Sequence, residues 1–146
     1  MNKIQEAENR FIEGYACSQA VFSTYCDGYN IDPKIALCLS AGLGGGVCMG
    51  KTCGAVTGAI LTIGLVLGEN NSETGQGRKK VKESVIEFTN RFKELNSTTE
   101  CKDLLSTDIS TSEGMKTAVE NKLFKTVCPK FIRDSSEILE EIIANK

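Results

Sequence analysis

From Thr52 to Gly68 the chain carries no charged residue, and Lys51 and Glu69 bound the run. An uncharged apolar stretch of that length must leave water, either into a packed core or into a bilayer. A bilayer span needs roughly 20 apolar residues, so the run is short for that role. It reads as the buried central helix of a single domain covering residues 1–146. Gly54, Gly58, Gly64 and Gly68 recur along it. Small residues so spaced let helices approach closely, within the chain or across a homodimer. With 146 residues the chain can bury roughly 68–70% of its unfolded surface, so no staple is required for folding.

The remaining periodicity is helical as well, and no convincing strand alternation is present. Ile4, Ala7, Phe11 and Ile12 form one apolar stripe that Gly14 can close as the residue after a helix C-cap. A second apolar segment covers about Ala16 to Tyr25. Asp32-Pro33 is an N-cap with proline in the first turn, opening a helix through Ala36, Leu37 and Leu39. Gly42, Gly44, Gly45, Gly46 and Gly50 then make a loop. After the central run, Asn70 to Gly77 reads as a polar linker. An amphipathic helix from Lys79 to Leu95 places Val81, Val85, Phe88, Phe92 and Leu95 on one face, with Glu87 and Arg91 four apart in the favourable order. A short helix over Glu100 to Leu105 follows, then a polar loop from Ser106 to Ser112. A helix from about Glu113 carries Met115, Val119 and Leu123. The last begins at Cys128-Pro129 and buries Phe131, Ile132, Ile138, Leu139, Ile142 and Ile143. The expected fold is an all-α bundle.

Three counts direct the chemistry: 7 cysteines, no histidine and no tryptophan. Without histidine there is no Ser-His-Asp triad, no Cys-His dyad, no histidine-ligated haem and no histidine-containing zinc site. A soft metal must be held by thiolates. With 17 basic and 19 acidic residues and a pI near 5.3, nothing predicts a nucleic-acid partner. The charged, amphipathic start Met1-Asn2-Lys3-Ile4 is no signal peptide. A cytoplasmic location is therefore expected, where cysteines stay reduced and point to metal or redox chemistry.

One motif competes for attention. Gly45 to Thr52 fits the phosphate-binding pattern G-x-x-x-x-G-K-T, in which Lys51 would meet the terminal phosphates and Thr52 a magnesium ion. That motif works between a strand of a parallel sheet and a helix, and here a helix start at Asp32-Pro33 precedes it. Nucleotide binding is set aside. The same residues make a glycine loop that delivers Cys53 to a helix N-terminus, where the dipole and free N–H groups favour a thiolate and Lys51 adds positive charge.

Four cysteines share that setting. Cys17 follows the break at Gly14, Cys53 the glycine loop, Cys101 the Ser97-Thr98-Thr99 turn, and Cys128 sits at the N-cap before Pro129. The other three differ. Cys26 closes the second helix and Cys38 lies beside Leu37 and Leu39; both read as small buried apolar residues. Cys48, in the glycine loop, is a candidate resolving thiol or fifth ligand.

Gly14-Tyr15-Ala16-Cys17-Ser18-Gln19-Ala20-Val21, then Gly44-Gly45-Gly46 leading to Cys53-Gly54-Ala55-Val56-Thr57-Gly58, then Cys101 and Cys128, resemble the C-GCAxxG-C-C family. The resemblance covers about Phe11 to Phe131. It implies a small helical protein implicated in redox or iron–sulfur chemistry, and it singles out the same four cysteines. Family members often carry a polar residue before the first cysteine, where this chain has Ala16.

Three chemistries fit four thiols. An iron–sulfur cluster on Cys17, Cys53, Cys101 and Cys128 would transfer electrons to a partner protein; without a close C-x-x-C, such a site would be assembled by the tertiary fold. A thiol–disulfide enzyme would use Cys53 as the attacking thiolate and Cys48 or Cys17 to resolve it. A Cys₄ zinc site would simply join the helices. The cluster is the leading expectation.

Overall fold

The computed structural model describes residues 1–68 and 75–145. Among them are nine α-helices: α1 (Lys3–Ile12), α2 (Cys17–Tyr25), α3 (Pro33–Ser40), α4 (Gly54–Leu67), α5 (Gly75–Asn96), α6 (Cys101–Leu105), α7 (Ser112–Glu120), α8 (Leu123–Thr126) and α9 (Cys128–Ala144). The one extended pairing among the described residues is an isolated antiparallel bridge between Thr52 and Glu100. The fold is an all-α bundle, as the periodicity predicts.

Local chemistry sets the helix ends. The Asn2 side chain accepts from the N–H of Gln5 at 2.9 Å, and Gln5 Oε1 accepts from the N–H of Asn2, a reciprocal capping box. Gly14 lies at φ +114°, its N–H donating to Phe11 O while that of Tyr15 donates to Arg10 O. This pair of bonds is the Schellman ending that favours glycine after the C-cap. Asp32 caps α3 through the N–H of Lys34 at 2.8 Å.

The uncharged helix α4 is the axis of the bundle. Helices α2, α5 and α9 pack around it, α1 lies against α2 and α9, and α3 against α2. Val56, Ile63, Phe88, Phe92, Ile132 and Leu139 lose all contact with solvent, each such side chain worth roughly 1.5–3 kcal/mol. Gly54 and Gly58 of α4 serve contacts inside the chain. A Cβ at Gly54 would stand 2.9 Å from Cys17 Cβ and from Ser18 N, and one at Gly58 would stand 2.7 Å from Ser18 O. Helix α2 therefore lies against bare backbone. Gly64 faces open space.

At 14 residues, α4 is about 21 Å long, short of a hydrocarbon core of about 30 Å. One 18-residue window, Pro33–Gly50, has the length and mean hydropathy of a span. It is not one helix, because Gly44 is extended and Gly45 to Cys48 turn left-handed.

Several expected core positions face out. Helix α3 buries Ala36 and Ser40, which turns Cys38 and Leu39 to solvent. Helix α7 buries Gly114 and Ala118, leaving Met115 and Val119 exposed; it is also shorter than the stripe through Leu123 implies, because Lys122 at φ +56° breaks it from α8. Ile12 and Leu95, at the ends of their helices, are likewise exposed. Arg91 bonds across to Glu141 of α9 rather than to Glu87. The linker expected from Asn70 to Gly77 lies outside the described residues up to position 74, and its last three residues open α5.

Candidate functional site

Each of the four cysteines sits at the start of a helix. Cys17 opens α2, Cys101 opens α6, and Cys53 is the N-cap of α4. Cys128 is the first residue of α9 rather than its N-cap, which is Val127. All four line one cavity of about 120 Å³. Its other walls are glycine backbone and apolar side chains, chiefly Phe11, Leu105, Ile109, Phe124 and Phe131, with no charged side chain among the described residues. Cys53, Cys101 and Cys128 are buried and Cys17 partly so.

Backbone pairing brings Cys53 and Cys101 together. The N–H of Cys53 donates to Thr99 O at 2.7 Å and that of Cys101 to Lys51 O at 2.5 Å. These bonds flank the Thr52–Glu100 bridge, so two antiparallel strands of one residue each release their cysteines side by side. The glycine loop closes over them. Gly45, Gly46, Val47 and Cys48 are all left-handed, with φ between +57° and +67°, and the N–H of Lys51 returns to Gly46 O at 2.9 Å. A Cβ on Gly46 would stand 2.3 Å from Lys51 N and 2.9 Å from Cys101 Cβ, so only glycine lets the loop lie so close. Helix α3, not a strand, feeds this loop, which agrees with setting the phosphate-binding motif aside.

Cys17 is fixed by its neighbours. Ala16 offers no capping side chain, and Gln19 takes over half of that role by accepting from the N–H of Ala16 at 3.0 Å while its Nε2 donates to Leu37 O. Buried Ser18 donates to Ser40 O at 2.7 Å. Together they tie the start of α2 to α3.

Electrostatics divide the four thiols. Burial pushes Cys53 up to about 12, against the lowering effect of N–H donors from Ala55 and Val56. The donors are where a helix N-terminus puts them, but desolvation outweighs them. Lys51 is not among the main influences on Cys53, and its charge helps to lower Asp108. Burial pushes Cys101 up to about 11, helped by Cys128, Asp108 and Glu100. Cys17 is held well above the ordinary thiol range, first because it donates its S–H to Cys128 and then by burial. Cys128 is lowered by accepting that bond, in spite of burial. Within this pair the shared hydrogen bond adds to burial at Cys17 and opposes it at Cys128.

The other cysteines stand apart from this cavity. Cys48 is exposed and donates weakly to Gly42 O at 3.7 Å. Cys26 is buried beside Phe22 and Ala36. Cys38 is exposed. Among the described residues no three cysteine, aspartate or glutamate side chains stand close enough to form a ready metal site; the four thiols share a cavity rather than a vertex. Sequence reading missed the walls. Phe124, one helical turn before Cys128, was the available signal, whereas nothing local marks the pairing of Thr52 with Glu100.

A helical bundle whose only polar convergence in this cavity is four thiols defines a class of cysteine-centred protein. The model of the C-GCAxxG-C-C family, described as "Putative redox-active protein", matches residues 15–142, and the chain belongs to that family. Searches of curated proteins and of solved structures give no match.

Proposed function

We propose that this redox protein transfers electrons through an iron–sulfur cluster held by Cys17, Cys53, Cys101 and Cys128. The observation that carries the reading is the meeting of four thiols, from four helix starts, in one apolar cavity. The donor set fits, since such clusters are held by four cysteine thiolates and no carboxylate competes in the wall. The room is of the order of an engineered apolar cavity, about 150 Å³, that admits benzene. When bound, a cluster supplies one-electron transfer at a potential set by burial and by hydrogen bonds to sulfur. The chain supplies the rest. Ala55 and Val56 direct N–H groups at Cys53 and offset negative charge there. Phe11, Phe124 and Phe131 keep water from the sulfurs. Loading requires the thiols to lose their protons, so uptake becomes easier as pH rises. The partner would be an electron-transfer protein met in a reducing, cytoplasmic setting.

One contact supports a second reading. Cys17 and Cys128 line the same cavity and share a hydrogen bond, so these two are placed for thiol–disulfide exchange.

The test is purification without oxygen, followed by visible absorption and iron, sulfide and zinc analysis on one sample. The cluster reading expects charge-transfer bands with matching iron and sulfide, lost in Cys53→Ser and kept in Cys38→Ala. Colourless protein loaded with zinc would mean a structural Cys₄ site. Colourless protein without metal that forms a Cys17–Cys128 disulfide on mild oxidation would establish the dithiol.

A further inference from the structure

A second concavity adjoins the thiol cavity. It has a volume of about 520 Å³ and is lined by Phe11, Ile12, Gly14, Tyr15, Phe124 and Lys125. Phe11 and Phe124 belong to both, so the two aromatic rings form the partition between the groove and the four cysteines. The groove lies between the Schellman turn that ends α1 and the short helix α8. Its volume falls within the roughly 300–1,000 Å³ of small-molecule sites. Its chemistry is specific. Three aromatic rings and Ile12 offer flat apolar surface, and the single charge on the walls among the described residues is the cation of Lys125. Glu13, between Ile12 and Gly14 in sequence, is not part of the wall. Ile12, the last residue of α1, is exposed although apolar.

We propose that this groove binds a planar aromatic electron carrier bearing an acidic group, with its ring against Phe11 and Phe124 and its anion at Lys125. The inference rests on the redox reading of the thiol cavity, because the partition is what makes a redox-active ring the fitting occupant. Aromatic rings favour offset or edge contacts with a flat guest, and the ammonium group of Lys125 at the rim favours acidic over neutral guests. A quinone is the simplest such carrier. Its reduction to hydroquinone takes two electrons and two protons. A one-electron centre gives the electrons in two turns, re-reduced between them by its electron-transfer partner protein, with protons from water. The Cys17–Cys128 dithiol gives both pairs at once, breaking two S–H bonds and forming one S–S bond.

The test uses a sulfonated naphthoquinone and its unsulfonated parent with the full chain. Binding is followed by equilibrium dialysis, and electron transfer by single-turnover absorbance after the protein has been reduced with dithionite and desalted. Lys125→Glu and Ile12→Asp alter the groove without touching the thiol cavity, and both positions are exposed, so the variants should fold; circular dichroism checks this. Saturable binding of the sulfonated probe is expected, weakened about tenfold or more by either variant, which is about 1.4 kcal/mol. The parent quinone should bind less tightly and be indifferent to Lys125→Glu. Absence of saturable binding, or binding unchanged in both variants, would overturn the groove. Quinone reduction that persists undiminished in both variants would overturn the groove while leaving the redox centre standing. Binding with the expected variant pattern but no reduction would support the groove and refute the redox reading.

Discussion

Val47 is a β-branched residue held at φ +58°, ψ +40°, where an L-residue loses roughly 1–2 kcal/mol. Glycine there removes the steric cost but adds about 0.5–1 kcal/mol of chain entropy. Val47→Gly should therefore leave the protein equally stable or up to about 1.5 kcal/mol more stable, read from urea midpoints; clear destabilisation would mean that the partly buried valine side chain outweighs its backbone. Gly58 shows the opposite constraint. Its missing Cβ would meet Ser18 O at 2.7 Å, and that oxygen belongs to helical backbone that cannot step aside alone. Gly58→Ala should cost about 1–3 kcal/mol, the range for overpacking. Cys38→Ala, on the exposed face of α3, should stay within about 0.5 kcal/mol.

Elements rather than residues assemble the site. The segments 51–53 and 99–101 are joined through Cys53 N–H to Thr99 O and Cys101 N–H to Lys51 O, so they should open as one unit. Hydrogen exchange should find these two amides slow and matched in protection. Gly46→Ala, which forces a Cβ to 2.3 Å from Lys51 N, should speed both together and raise the accessibility of Cys101 to a thiol reagent. Fast exchange at one amide alone would show that the bridge is not a unit. This element also marks where the sequence stops being legible. Helix existence, the caps at Asp32 and Gly14, and four cysteines at helix starts all follow from short-range chemistry, and the structure bears them out. The Thr52–Glu100 pairing joins positions nearly fifty residues apart through backbone atoms, which no side-chain pattern announces. Periodicity misplaced Met115 and Val119 for a related reason. Glycine and alanine at positions 114 and 118 pack closer than larger side chains can, since a Cβ at Gly114 would lie 1.8 Å from Asp108 O. The small residues won the inner face, and the apolar stripe was left outside. The same logic predicts a buried Cys38, which is exposed for the same reason, with Ala36 and Ser40 as the inner face of α3.

At the scale of the molecule, a cavity of buried thiols couples stability to alkaline pH. Cys53 and Cys101 titrate near 9 when unfolded and are raised to about 12 and about 11 in the fold. A group whose folded pKa is raised gives stability that is complete below its unfolded pKa and is lost as pH climbs through the folded value. Above about pH 9 the unfolded chain sheds protons that the native thiols keep, so unfolding gains about 1.4 kcal/mol per pH unit for each such thiol. Tyr25, buried and donating its hydroxyl to Glu140, is raised too and adds the same sign at higher pH. Cys17 adds to it as well, while Cys128, lowered by the bond it accepts, works in the opposite direction. The raised groups outnumber the lowered one. Urea unfolding of reduced, metal-stripped protein should thus give a flat stability profile near neutrality and a steep fall from about pH 9 to about 11. Cys101→Ser should flatten that fall, because serine does not titrate there. A profile that stays level to about pH 11 would mean that water reaches the four sulfurs. The apolar partition formed by Phe11, Phe124 and Phe131 would then not isolate the centre as the fold requires.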